Sequence, residues 1–364
     1  MPDNNLEKII PEHNLKFAFM RKSFMPTVVI TGNFFEYIKT VGFSSPFCVV
    51  SQTVAKKFEK QLRLRPFSGG IIIKNDGEPT ERLVKRLTEK CRRGKYDLLI
   101  GVGGGSVLDL IKVIKRDCGL PLVVVPTTPS SGSETTPYAL IIDSKAKSKM
   151  LVRSRRLMPD VVILDALFLE IIPLQQMGYF LFDILGHCAE GLVSKMSTVF
   201  SDAYSQKGID IISNIYLYLN KPYRKESLSS LQIAGFFGGL TQGMASVGLA
   251  HSLAHYFGSK YGVPHAKSVS IFLPEVVRVN SRFETYNKLY PPEGNTGAEY
   301  LLKLFKSIER FFGLKKEKIK VGKKFSAEDA IMAIQKDFCA PTNPVRFENK
   351  DFMEIFKNTL IYEN

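Results

Sequence analysis

Cysteine is scarce and carries no pairing pattern: Cys48, Cys91, Cys118, Cys188 and Cys339 are an odd number with no CxxC spacing. That argues against a disulfide scaffold or a cysteine-built zinc module, and the expectation is a reduced, cytoplasmic protein. No apolar run reaches the roughly 18–20 residues that a membrane span requires. The opening segment, MPDNNLEKIIPEHNLKF, lacks the basic start and apolar core of a secretory leader, so no membrane partner is expected. Internal repeats and low-complexity tracts are also lacking. Acidic residues are in deficit, 35 against 50 Lys+Arg, for a net charge of +15. Such a balance attracts phosphorylated cofactors, anionic substrates or nucleic acid. The densest basic run, Lys315 to Lys324, has neither interleaved aromatics nor zinc-knuckle spacing. It reads as a solvated surface loop, and no nucleic-acid partner is expected.

What remains is an ordinary globular composition, 45% hydrophobic and 23% charged over 364 residues, long enough for two domains of roughly 100–200 residues each. Short apolar strands alternate with amphipathic helices up to about residue 165. The strand candidates are 27–31 (TVVIT), 47–51 (FCVVS), 71–73 (III), 97–102 (DLLIGV), 122–125 (LVVV) and 161–164 (VVIL). Leu83, Leu87 and Cys91 recur at helical spacing between the third and fourth strands, as do Val107, Leu110 and Ile114 after the fourth. Apolar strands separated by helices predict a parallel sheet with right-handed crossovers. Beyond it the pattern turns helical, over 177–196, 202–218, 227–262, 297–312, 327–338 and 350–360. The expected architecture is therefore α/β plus all-α: a Rossmann-like parallel-sheet domain at 1–165, then a helical domain at 166–364.

Two loops stand out. Gly103, Gly104, Gly105 and Ser106 end the fourth strand and open a helix, where close backbone approach and free N–H groups suit a pyrophosphate. The spacing differs from GxGxxG, and a plain tight turn is the alternative. Downstream, PTTPSSGSET (126–135) follows another buried strand and supplies hydroxyls and backbone donors. Two such loops after parallel strands point to the carboxyl edge of the sheet, where open α/β folds bind ligands.

Of five histidines, four fall in two short segments. Asp183 and His187 are four apart, as are His251 and His255, and His265 follows; residues at that spacing share a helix face. Any one of these histidines alone reads better as a hydrogen-bonded core residue. The set, one carboxylate with several imidazoles beyond a nucleotide-type domain, points to a divalent transition metal such as Fe²⁺ or Zn²⁺.

The blocks YDLLIGVGGGSVLDLIK, PTTPSSGSETT, LMPDVVILD, FDILGHCAEGLVS, GLAHSLAHYFGSKYGVPHAKSVSIFLP and CAPTNPVRF, in that order, resemble the iron-containing alcohol dehydrogenase superfamily, whose relatives include glycerol dehydrogenase and dehydroquinate synthase. The resemblance implies an active site in the cleft between the two domains. It implies metal ligation by Asp183, His187, His251 and His265, with His255 as a non-ligand histidine near nicotinamide and substrate. Gly103, Gly104, Gly105, Ser106 and Asp109 would meet the pyrophosphate region. Thr127, Thr128 and Ser131 would surround the cofactor, and Lys149 would reach its ribose. Dimers are common in that family, so the resemblance admits a homodimer and leaves the oligomeric state open.

This chain departs from the family at several places. Pro129 and Ser130 replace an Ala-Gly pair and stiffen the second loop. Gln52 stands where NAD-preferring members carry an Asp, so both NAD(H) and NADP(H) are admissible. Tyr138 replaces a frequent Asn, and Ala266-Lys267 follows His265 in place of a glycine. The expected activity is metal-dependent hydride transfer between a nicotinamide dinucleotide and a small primary alcohol or aldehyde. The net charge and Lys267 suggest an anionic substrate. The alternative is a metal- and NAD-dependent lyase or cyclase of the dehydroquinate-synthase type. Those relatives carry a lysine where this chain has Ser106, which favours the dehydrogenase.

Overall fold

The computed structural model describes residues 26–363 apart from 27, 41, 63–70, 76, 144–147, 292–293 and 316. Side chains of a few strand residues, Lys149 among them, also lie outside the described set. The first half builds β1 (Val28–Thr31), α1 (Phe34–Thr40), β2 (Pro46–Ser51), α2 (Gln52–Lys57), α3 (Glu59–Leu62), β3 (Ile71–Lys74), α4 (Glu81–Arg93), β4 (Leu98–Gly103), α5 (Gly105–Cys118) and β5 (Leu122–Pro126). A hairpin, β6 (Tyr138–Asp143) with β7 (Ser148–Arg153), precedes β8 (Val161–Leu164). Six strands form one parallel sheet in the order β1-β8-β5-β4-β2-β3. All six expected strands are present. The continuous apolar stretches of the inner strands β2, β4, β5 and β8 follow from burial on both faces, whereas the edge strands β1 and β3 leave Val29 and Ile73 exposed. Val107, Leu110 and Ile114 of α5 and Leu87 and Cys91 of α4 cover one face; Phe34, Ile38, Val54 and Phe168 cover the other.

The order reverses between β2 and β4: the chain steps outward to β3, then returns to continue through β4, β5 and β8. Loops leaving strands at such a reversal splay apart and leave a crevice at the carboxyl edge. The glycine turn after β4 therefore sits beside the end of β2.

The second half is helical: α6 (Leu174–Val193), α7 (Val199–Ile215), α8 (Lys225–Ala245), α9 (Leu249–Tyr261), α10 (His265–Ser281), α11 (Gly297–Phe311), α12 (Ala327–Gln335) and α13 (Asn349–Thr359), with a small parallel pair β9 (Ile319–Val321) and β10 (Leu360–Tyr362). Among the described residues no single helix is long and apolar enough to cross a membrane. The span 227–262, which reads as one helical stretch, is two helices meeting at 101°. Ser246 breaks it, adopting φ 63° with its N–H bonded to the Gln242 carbonyl. This corner turns α9, and its histidines, toward α6. Helix α10 begins at His265 itself, where periodicity had suggested only the end of a preceding helix.

Helix α8 locks the helical half onto the loop that follows β5. A Cβ at Gly235 would lie 1.7 Å from the Pro129 carbonyl oxygen, and one at Gly239 would lie 2.3 Å from Thr135 Oγ1. The loop is thus seated backbone to backbone on the helix. From the sheet side, the fully buried Lys112 donates to the Ser133 carbonyl at 2.7 Å and to Ser133 Oγ at 3.1 Å. Burial pushes this ammonium down to about 8, against the opposing pull of Asp109 and Glu134. Gly235→Ala should lower stability by about 1–3 kcal/mol through overpacking, although alanine is otherwise the better helix former by about 0.5–1 kcal/mol. Thermal unfolding of Gly235→Ala beside Gly322→Ala, whose Cβ meets nothing within 4 Å, checks this. Equal midpoints would contradict the seat.

Candidate active site

Two adjoining hollows open along the carboxyl edge of the sheet. One is lined by Ser51 and Thr53 after β2, Gly104 and Ser106 at the head of α5, and Thr127 and Thr128 after β5. The other shares Ser106 and continues through Gly105 and Ser131 to Asp183, His187, His251, His255 and His265. The loops and the histidines, far apart in the chain, thus line one continuous cleft.

Helix α5 starts at Gly104 with no capping side chain. Gly105 and Ser106 therefore head the helix with backbone donors, and the positive end of its dipole faces the cleft. This fits an anionic pyrophosphate. Gly103 has a different reason to be glycine: it lines neither hollow, and its Cβ would come 2.6 Å from Val107 Cγ2 of the following helix turn. Asp109 borders the histidine side, but its carboxylate is engaged, accepting from Ser133 Oγ at 2.5 Å and from the Leu140 N–H at 2.9 Å. It ties α5 to the loop and hairpin. Ser131 donates to Glu134 at 2.9 Å. Gln52 lies at the start of α2 outside both linings, while its neighbours Ser51 and Thr53 are in the first. Lys149 pairs with Ile142 across the hairpin, and its side chain is outside the described set. Lys267 is turned away, its Nζ 2.5 Å from Glu317 and over the Tyr179 ring.

Asp183 and His187 come from α6, His251 and His255 from α9, and His265 from the first turn of α10. Around one oxygen, Asp183 Oδ1, stand the Nε2 atoms of His251 and His265 at 3.5 Å and of His187 at 3.9 Å. Asp183, His187 and His251 are buried, and His265 sits at the mouth with its side chain 41% exposed. Asp183 Oδ1 and His251 Nε2 have no hydrogen-bond partner. Unpaired polar atoms in such a place are costly. A tetrahedral cation bonded at 2.0–2.2 Å spaces its ligands about 3.4 Å apart; the ligand atoms of Asp183, His187 and His251 all lie within 4.8 Å of one another, and His265 Nε2 joins them at 3.5 Å from Asp183 Oδ1. Burial pushes His187 down to about 4 and favours a neutral imidazole with a free lone pair. Burial also works against the Asp183 charge, but the surrounding imidazoles hold that carboxyl below its usual range. His251 is the exception: burial opposes its charge, and the adjoining Asp183 and Glu190 carboxylates override it, pushing the ring up to about 9.

Glu190 was missed in the sequence, although a signal exists. It follows Asp183 by seven and His187 by three, one turn further along the same face of α6. Its Oε2 is 2.6 Å from His251 Nδ1, and its Oε1 accepts the Ala250 N–H at 2.6 Å. With Nδ1 so committed, His251 presents Nε2 to Asp183. Carboxylates behind imidazole ligands orient metal sites in this way. Asp337, also missed, has no local signal, being 82 residues from the His255 it contacts at 3.1 Å. Ser252 Oγ and the Cys339 N–H hold its other oxygen, each at 2.9 Å.

Comparison with known proteins agrees with this architecture. Residues 31–166 match the family model for iron-containing alcohol dehydrogenase, and residues 180–360 match that for the C-terminal part of the Fe-containing alcohol dehydrogenase family. Alcohol dehydrogenase 4 of Saccharomyces cerevisiae is 24% identical over 359 residues, covering 90% of this chain and 94% of that protein. The NADPH-dependent butanol dehydrogenase of Clostridium saccharobutylicum is 25% identical, over 77% of this chain and 81% of that protein. The crystal structure of sulfoacetaldehyde reductase from Bifidobacterium kashiwanohense, solved with NAD⁺, superposes with a TM-score of 0.81 at 17% identity, covering 93% and 98% of the two chains. The parallel sheet, the helical half facing it and the two matched family models together show that this chain belongs to the iron-containing alcohol dehydrogenase family and has the general oxidoreductase character of that family.

Proposed function

We propose that the chain is a metal-dependent alcohol dehydrogenase, working as an aldehyde reductase in reverse, on a small primary alcohol or aldehyde with NAD(H) or NADP(H). The observation that carries this reading is the unpartnered face of Asp183 Oδ1 and His251 Nε2, 3.5 Å apart and buried, at the end of a cleft built for a dinucleotide. Asp183, His187, His251 and His265 would hold Fe²⁺ or Zn²⁺. A cation there supplies a Lewis acid for the substrate oxygen, and a nicotinamide in the cleft supplies or accepts hydride.

The chain's own residues handle position and proton. Gly104 to Ser106 bind the pyrophosphate, and Thr127 and Thr128 support the nucleotide side. Among the described residues that line this side, Lys74 is the cation, donating to the Asn75 and Gly77 carbonyls. A cation at this place is compatible with either NAD(H) or NADP(H). His255 borders the same hollow, stacked between His265 and Phe338 with ring centroids 5.5 and 5.4 Å away. It exchanges the substrate proton with solvent. Asp337 positions it by accepting from Nδ1. Burial pushes the Cys339 thiol well up, so it serves as a protonated wall and not as a nucleophile.

Reduction of short aldehydes should consume NADPH or NADH stoichiometrically, stop after chelation, and return with Fe²⁺ or Zn²⁺. Absence of net cofactor consumption with a loaded site would instead favour the lyase type of reaction. His255→Ala and Asp337→Asn should each lower kcat by about 10²-fold or more, with metal content and KM for the cofactor unchanged. Loss of metal in either variant would make the altered residue part of the cation site and contradict the proton role.

A further inference from the structure

A third hollow opens off the histidine side. It shares Tyr138, Leu140, Gln242 and His255 with the cleft, so its contents lie next to the reacting end of any substrate placed beside His255. Arg153 and Arg155 line it, and among the described residues no aspartate or glutamate does. Met196, Val247 and Phe338 give it an apolar part, beside the polar Ser154, Ser246 and Thr342. Arg153 ends β7 directly opposite Tyr138 of β6. Directly opposed residues of an antiparallel pair project to the same side, and both line this hollow. The Arg153 guanidinium makes no ion pair among the described residues, in a chain where many surface cations are matched with a carboxylate. Lys267, the other candidate cation, is spent on Glu317.

We propose that the substrate is a short aldehyde, or the corresponding alcohol, bearing a terminal anion such as a carboxylate, sulfonate or phosphonate, and that Arg153 binds that anion and sets specificity. This rests on the oxidoreductase reading above and narrows its substrate. The planar fork of arginine matches two oxygens of such a group. Met196, Val247 and Phe338, which line the hollow together with Arg153 and His255, suit a short methylene chain. The opposite end, with its carbonyl, then faces the Asp183 and histidine cluster.

The test pairs succinate semialdehyde with butanal, equal in carbon count and different in charge, on the metal-loaded chain with both reduced nicotinamides. The wild type should favour the anionic aldehyde in kcat/KM. A hydrogen-bonded charge of this kind is worth about tenfold to a hundredfold. Arg153→Gln should reduce the anionic-to-neutral ratio by that factor, and Arg153→Lys should restore part of it. Equal kcat/KM for the two aldehydes in the wild type, or an equal loss on both in Arg153→Gln, would overturn the proposal. If neither aldehyde is reduced, the oxidoreductase reading fails, and the anion site is judged by calorimetric titration with 4-hydroxybutanoate. Binding that weakens at least tenfold in Arg153→Gln supports the site, and no binding by the wild type overturns it.

Discussion

One carboxylate oxygen faces three imidazole nitrogens at 3.5 to 3.9 Å in a largely dry place, and much of the second half of the fold is arranged around that fact. A buried carboxylate with unpartnered atoms around it is expensive unless a cation completes the set. The fold bears that cost because α6, α9 and α10 are each fixed by large apolar surfaces, including Phe182, Ile184, Leu253, Phe257 and Phe272. The hydrophobic core is thus what makes an electrostatically unfavourable constellation persist. Glu190 adds direction by committing one nitrogen of His251, so that the other cannot turn away.

A second constraint joins this cluster to the sheet. Gly235 and Gly239 let the loop after β5 rest on the backbone of α8, and Lys112 grips the same loop from the sheet side. The histidines and the glycine turn belong to different halves of the chain, and their separation depends on that seat. Two backbones touch there, where side chains would otherwise hold the halves apart.

Much of this was legible in the amino-acid sequence, for identifiable reasons. The inner strands were readable because burial on both faces demands unbroken apolar stretches. Asp183, His187, His251, His255 and His265 stood out because helical spacing puts chemistry-bearing residues on one face, and the structure brings all five to one hollow. Other features could not be read locally. Ser246 is an unremarkable residue in an apolar stretch, yet its left-handed backbone makes the corner that aims α9. Asp109 looked like a cofactor contact from its place in the motif, and its carboxylate proves to be engaged with Ser133 and Leu140. Gln52 marks the right loop, but Ser51 and Thr53 line the hollow. Lys267 follows a site histidine in sequence, and helix rotation sends it to Glu317. Asp337 and Arg153 meet the site only through tertiary contacts across scores of residues, which periodicity does not encode.

The central claim is that the Asp183–histidine cluster is a cation site. Mass-spectrometric metal quantification of the untagged, anaerobically purified chain, beside the double variant Asp183→Ala/His251→Ala, tests it most directly. The account predicts close to one iron or zinc per chain in the wild type and essentially none in the variant, both remaining folded by circular dichroism. A wild type that stays metal-free after reconstitution, or a variant that keeps its metal, would contradict it.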